Sequence, residues 1–161
     1  MALQHLLPAI FAFLLSFLVI FITWVNHHAT LKLVNKSSPA FVYANGFLLL
    51  TIVILPFPTA LLSEYLFTDY ATPAVVIYAA VNALQALSWI ILSQTVLKPK
   101  ALTKDEKSTH TIQANQRNLQ PALIIYILCA VLAFWFPQAI ALVLGLIWIG
   151  WLFVGVRIMG E

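Results

Sequence analysis

Charged side chains are absent from residues 1–31, 37–63, 70–97 and 118–156 and are confined to the short stretches between them. Each charge-free stretch is predominantly apolar. Each also exceeds the roughly 20 residues that a helix needs to cross a hydrocarbon core about 30 Å thick. The first three stretches fit one crossing each. The fourth would run to about 58 Å as a single helix at about 1.5 Å per residue, close to twice one crossing. Pro137 divides it, because proline lacks a backbone donor and clashes with the preceding turn. The pattern predicts an all-α integral membrane protein, a bundle of five transmembrane helices at about 8–25, 40–63, 73–97, 121–136 and 139–156.

Composition narrows the class in the same direction. The chain has 161 residues, of which 63% are hydrophobic and 8% charged, against roughly 25% charged in an ordinary soluble domain. A soluble fold of this size could not hide so much apolar surface. Disordered chains are poor in apolar residues, and one cysteine, Cys129, cannot form a disulfide framework.

Basic residues favour the cytoplasmic side of a membrane, which orients the bundle. With five spans, Lys32 and Lys36 follow the first helix. Lys98, Lys100, Lys104, Lys107 and Arg117 follow the third, and Arg157 follows the fifth. All eight then share one side, with the N-terminus outside and the C-terminus cytoplasmic. With four spans Arg157 would cross over. Residues 98–120 form a polar cytoplasmic loop in this reading, fraying or forming a short amphipathic piece, and residues 1–161 form one transmembrane domain. The net charge of +3 is spread over three segments without interleaved aromatics, so it points to membrane orientation and not to nucleic acid.

Polar residues inside spans are costly in lipid unless paired. Ser16, Thr23 and His27 fall on one face of the first helix. Asn82, Gln85 and Ser88 form a stripe on the third, read either as interhelical hydrogen bonding or as a candidate polar lining of a pore or cavity. Pro56 and Pro58 mark a kink in the second helix. Gly145, Gly150 and Gly155 are five apart, which is not the GxxxG spacing and suggests close packing in general. His27 and His28 point about 100° apart on a helix and cannot chelate one ion together, so no metal site and no cofactor is expected. No span pairs a nucleophile with a base, so an enzyme is not expected. No span carries a charged relay away from its ends, which disfavours proton-coupled transport and suits a passive conduit with a hydrophobic gate or a scaffolding protein.

Two runs carry a family resemblance. Ser16–His28 reads SFLVIFITWVNHH, and Asn45–Tyr65 reads NGFLLLTIVILPFPTALLSEY. They resemble the second and third helices of the endosomal and lysosomal potassium channel family, the transmembrane protein 175 family. The resemblance extends over nearly the whole chain. It implies a six-helix repeat, tetrameric in prokaryotic single-repeat members, whose first helix bears an F-S-D motif and forms the pore constriction. It further implies that Trp24, Asn26, His27 and Asn45 brace that first helix through hydrogen bonds, with His28 completing the motif. No F-S-D precedes Ser16, and Phe67-Thr68-Asp69 is a near match in the wrong place. The chain is therefore expected to correspond to helices two to six, either because the gene starts upstream or because the member is naturally short. Two functions stay open. One is a passive, oligomeric potassium channel subunit in a prokaryotic cell membrane, with potassium ions and the lipid bilayer as partners. The other is a non-conducting membrane scaffold or accessory subunit.

Overall fold

The computed structural model describes residues 2–98 and 102–160, with side chains over 10, 13–98 and 102–153. Lys100 and the Arg157 side chain lie outside the described residues. Six helices follow one another: α1 (Ala2–Lys32), α2 (Pro39–Ile54), α3 (Pro56–Tyr65), α4 (Ala71–Leu97), α5 (Glu106–Leu132) and α6 (Pro137–Gly160). The described residues contain no strand, only an isolated bridge between Val34 and Thr103. Three stretches are long and apolar enough to cross a membrane, Phe13–Lys32, Pro39–Tyr65 and Ala71–Leu97, and Pro137–Phe153 is a shorter apolar helix.

α2 and α3 form one rod broken at Leu55. Pro56 and Pro58 have no N–H to give, so the carbonyls one turn earlier lose their usual donors. The chain tightens instead: Leu55 N bonds Ile52 O at 3.2 Å, and the Thr59 hydroxyl donates to Leu55 O at 2.8 Å. The expected kink is thus a one-residue break. α2 starts cleanly, because Ser38 Oγ accepts from Phe41 N and Pro39 occupies the first turn.

α4 and α5 pack as an antiparallel pair. On α5 and at its C-cap, Ser108, Ile112, Leu119, Ala122, Tyr126, Cys129 and Ala133 are buried and Asn115 is half-buried. Their spacing alternates four and three, a seam with a seven-residue period. Ala71, Val75, Tyr78, Asn82, Gln85, Trp89, Leu92 and Val96 repeat the same spacing on α4. Small residues on or beside the seams, among them Ala79, Ala86, Ala122 and Ala133, let the backbones approach and shape a core completed by Ile140 and Leu144 of α6.

This seam corrects the expected loop at 98–120. Helix begins at Glu106 and runs unbroken through Pro121 to Leu132. The seam continues through polar residues, so the segment has a buried face despite its low hydropathy. Pro121 is exposed at the polar end of the apolar stretch, where water can satisfy the freed carbonyl of Arg117. The other ends also move: α1 and α6 extend beyond the expected bounds, and Pro137 opens α6, the position where its missing donor costs least. Gly145 and Gly150 do not serve close packing within the chain. Both are exposed, and a Cβ at either would meet nothing within 4 Å.

Connections pair up at the two ends of the bundle. Asn35 N and Lys36 N donate to Leu102 O at 2.8 and 3.2 Å, and Lys104 N donates to Leu33 O at 3.0 Å. The α1–α2 and α4–α5 connections therefore lie side by side, over a core of Phe41, Leu48, Leu92, Val96, Leu102 and Ile112. Gln138 Nε2 reaches Leu66 O at 3.2 Å, which joins the α3–α4 and α5–α6 turns. The latter turn exposes Phe134, Trp135 and Phe136, residue types suited to a membrane interface.

Asp105 caps α5, with its carboxylate accepting from Ser108 N at 2.7 Å. That bond holds its carboxyl below the usual carboxylate range. A lowered folded value stabilises the ionised form, so the cap is fully present above about pH 4 and is lost as pH falls through the folded value. Amide exchange over Glu106–Thr109 is expected to rise in that acid window. The Asp105→Asn variant should keep the cap, because an amide oxygen also accepts, but should lose the pH dependence.

Candidate functional site

The polar residues gather where α1, α2, α4, α5 and α6 meet. Successive positions on α1 diverge by about 100°, and the Trp24–His28 motif splits accordingly. His27 is half-buried, and its Nε2–H donates to Asn45 Oδ1 of α2 at 2.6 Å. Its ring also meets the edge of Trp89 on α4, with centroids 6.2 Å apart. Asn26 Nδ2 donates to Ile22 O at 2.9 Å and to Trp151 O of α6 at 3.3 Å. Trp24 and His28 point outward and stack on each other at 5.3 Å. They end an exposed aromatic ladder in which Phe17, Phe21 and Trp24 follow at 6.2 and 6.3 Å.

Ser16 and Thr23 are buried on the His27 side of α1. Thr23 donates back to Val19 O and receives Gln85 Nε2 from α4 at 3.4 Å. The α4 stripe divides in two. Asn82 and Gln85 line a pocket between the helices, together with Thr23, Asn26, Trp89 and Tyr126. Ser88 turns instead to α2, where its hydroxyl lies 3.3 Å from that of Thr51 and donates to Gln85 O. Two hydrogen bonds of this stripe cross between helices, Gln85 to Thr23 and Ser88 to Thr51, and the other two close back on the backbone of α4.

Several residues of this constellation carry no signal in a reading of spans and charges. Thr51 is fully buried opposite Ser88. Trp148, Trp151 and Tyr126 wall the cavity, and Trp151 Nε1 donates to the Tyr126 hydroxyl at 3.1 Å. An indole within a charge-free span needs a partner for its N–H, and that need was the available clue. Among the described residues no cluster of three or more His, Cys, Asp or Glu could hold a metal ion.

The bond between His27 and Asn45 predicts an asymmetry between the adjacent histidines. His27→Ala removes a partly buried hydrogen bond and strands the Asn45 carbonyl, a loss of about 1–2 kcal/mol. His28→Ala removes only an exposed stacking contact. Thermal unfolding in detergent should show the larger loss for His27→Ala. Equal losses would remove His27 from the packing.

A family profile described as "Endosomal/lysosomal potassium channel TMEM175" matches residues 1–56, the segment that holds α1, the motif and α2. A potassium channel of Chamaesiphon minutus is 32% identical over 148 residues, covering 90% of this chain and 73% of that protein. A potassium channel of Streptomyces collinus is 39% identical over 88 residues, covering 51% of this chain and 43% of its own. One solved structure, a crystal structure of a lysosomal potassium-selective channel TMEM175 homolog from Chamaesiphon minutus, matches with a TM-score of 0.79 and 30% identity. That match covers 95% of this chain and 77% of the other. The family is a class of channels, which are not enzymes. Extensive similarity in sequence and fold, with the W-x-N-H-H helix seated on Asn45 of α2, places this multi-pass membrane protein: the chain belongs to the endosomal/lysosomal potassium channel TMEM175 family.

Proposed function

We propose that residues 1–161 are the part of a potassium channel subunit that supports the pore helix. In this reading the five helical rods all cross a prokaryotic cytoplasmic membrane, with the N-terminus outside and the C-terminus inside. They correspond to helices two to six of a six-helix repeat, form one domain, and assemble as a tetramer around a potassium path. The observation that carries the reading is the state of α1. Its inward face is tied to α2 through His27 and Asn45, while its outer aromatic ladder from Phe17 to His28 is exposed among the described residues. A helix bearing the family motif, anchored on one side and apolar on the other, suits a brace for another membrane helix. Trp24, Asn26, His27, His28 and Asn45 are its bracing residues, and the break at Pro56 and Pro58 sets the angle of the second rod.

The alternative, a non-conducting scaffold or accessory subunit, draws on the α4 stripe. Ser88 bonds to Thr51 of α2, and Asn82 and Gln85 line a pocket between α1, α4, α5 and α6, which favours a packing role for these three side chains over a pore lining. Potassium flux into liposomes separates the two readings. Assembly has its own test, native mass spectrometry of the chain released from detergent. A tetramer is expected, and a monomer at all protein concentrations would contradict the oligomeric reading.

A further inference from the structure

Gln113, Arg117, Gln120, Ile124, Ile127 and Val131 of α5 are all exposed, at spacings that alternate four and three. They form one stripe along the helix. The stripe changes character along its length. An amide, a guanidinium and an amide come first, and branched aliphatic side chains follow. Among the described residues Arg117 has no hydrogen bond and no ion pair. Glu106 stands about 16 Å away along the axis, with its Oε1 3.8 Å from His110 Nε2. Pro121 leaves the Arg117 carbonyl without an intrahelical donor, so this level needs polar company for two groups.

α4 fixes the depth of the stripe. Ala71–Leu97 is long and apolar enough to cross a bilayer, and α5 runs beside it in the opposite sense. Leu92 and Val96 share a core with Ile112, and Val75 and Tyr78 share one with Tyr126 and Cys129. Arg117 follows Ile112 by just over one turn and therefore stands about level with Leu87, which is exposed, as is Leu84. Exposed Tyr70, Trp135 and Phe136 mark one end of the bundle, and exposed Trp24 and Tyr43 mark a second level. Such aromatics favour membrane interfaces. His27 meets both Asn45 and Trp89, which puts Trp24 and Tyr43 within a turn of Trp89 in depth. From Tyr70 to Trp89 the helix rises about 28 Å, close to the roughly 30 Å of a hydrocarbon core. One edge of the core thus falls near Trp89, with the Arg117 backbone about 3 Å inside it. The Cα–Cβ bond of Arg117 tilts toward the start of α5, which is toward the headgroup layer. One leaflet of hydrocarbon is about 15 Å deep, so Ile124 and Ile127 lie within the same leaflet.

The stripe therefore matches a phospholipid from head to chain. We propose that it binds one anionic phospholipid of the leaflet at the α4–α5 connection. The Arg117 guanidinium holds the phosphate in its fork of N–H donors, Gln113 and Gln120 add amide donors, and one acyl chain lies along Ile124 and Ile127. An anionic lipid is favoured because Lys107 is exposed on the headgroup side of Arg117, where a choline group would bring a further cation. The inference rests on α4 crossing the bilayer and not on which side α5 begins, and it stands whether or not the protein conducts potassium.

The test is native mass spectrometry of residues 1–161 released from detergent, with phosphatidylglycerol and phosphatidylcholine of identical chains as probes. The unsubstituted chain is expected to retain one phosphatidylglycerol per subunit in preference to phosphatidylcholine. Arg117→Gln should weaken phosphatidylglycerol retention by about fivefold or more, the share of one basic side chain at an anionic surface. Lys32→Gln removes the same charge at the same end of the bundle and should leave retention unchanged. Inorganic phosphate at equal concentration should not displace the lipid. Equal retention of the two lipids by the unsubstituted chain overturns the proposal, and that reading needs no variant to fold. Equal losses in the two variants also overturn it, since the attraction would then be diffuse. Displacement by inorganic phosphate overturns the lipid as occupant. If Arg117→Gln breaks an oligomer and leaves lipid retention intact, the face belongs to a second copy of the chain and the proposal fails.

Discussion

Reporter fusions at residue 110 and at the C-terminus are expected to read cytoplasmic, and a fusion at residue 69 to read exterior. The expectation joins charge to geometry. Lys32, Lys36, Lys98, Lys104 and Lys107 flank the two connections that share backbone hydrogen bonds through Leu33 and Leu102. The turns at the other end, joined through Gln138 and Leu66, carry Asp69 and exposed aromatics and no lysine or arginine. An all-or-none charge bias of this kind sets orientation strongly. Moving the basic connections outward would carry at least five cationic side chains across the bilayer, each disfavoured by about 2.5–3.5 kcal/mol at its centre. The effect should therefore be a complete difference in reporter signal and not a partial one. Opposite readings at 110 and 161 would mean that α5 and α6 do not both cross, leaving four spans.

The count of helical rods was legible in the charge-free intervals, because lipid tolerates unpaired charge so poorly that spans and connections separate by composition alone. The break near Pro137 was legible for a local reason, since proline fits the first turn of α6 better than the middle of a longer helix, but the turn itself lies over 133–136 and not at Pro137-Gln138. The first half of α5 was not legible. Its buried positions include Ser108 and Asn115, so a hydropathy reading loses the seven-residue period that the α4 seam makes plain in three dimensions. Pro121 therefore reads as a helix start, although its polar surroundings let the helix pass through.

The motif residues were visible as a resemblance, but their division was not. Which of Trp24, Asn26, His27 and His28 faces inward depends on the rotation of α1 against α2 and α6, and that rotation is set by packing of Val19, Ile22, Leu55 and Trp148. The polar stripe at Asn82, Gln85 and Ser88 was visible as a pattern. Its split between a cavity and Thr51 follows from which neighbouring helix each side chain meets.

Residues 1–161 reconstituted by themselves are expected to carry no potassium-selective flux. A hydrophobic gate needs apolar side chains from each subunit to converge on an axis. The family resemblance assigns that task to a helix bearing F-S-D, and no such motif stands ahead of Ser16. The spans in hand offer poor substitutes. Ser88 and Thr51 pair with each other, Asn82 and Gln85 line a pocket between the helices, and the aromatic ladder on α1 is bulky and exposed among the described residues. In the tetramer proposed above, subunits without a central helix would enclose a gap that lipid enters, or would collapse together. Adding a related F-S-D helix at the N-terminus should restore a path, because His27 and Asn45 already hold α1 and α2 in place to receive it.

The direct measurement is potassium flux into liposomes for two proteins, residues 1–161 and the same chain preceded by a related F-S-D helix, with sodium as the competing ion. The bracing account predicts background flux from the first and potassium-selective flux from the second. Selective flux from residues 1–161 would contradict it and make α1 or α4 the pore helix, and background flux from both would favour the non-conducting scaffold.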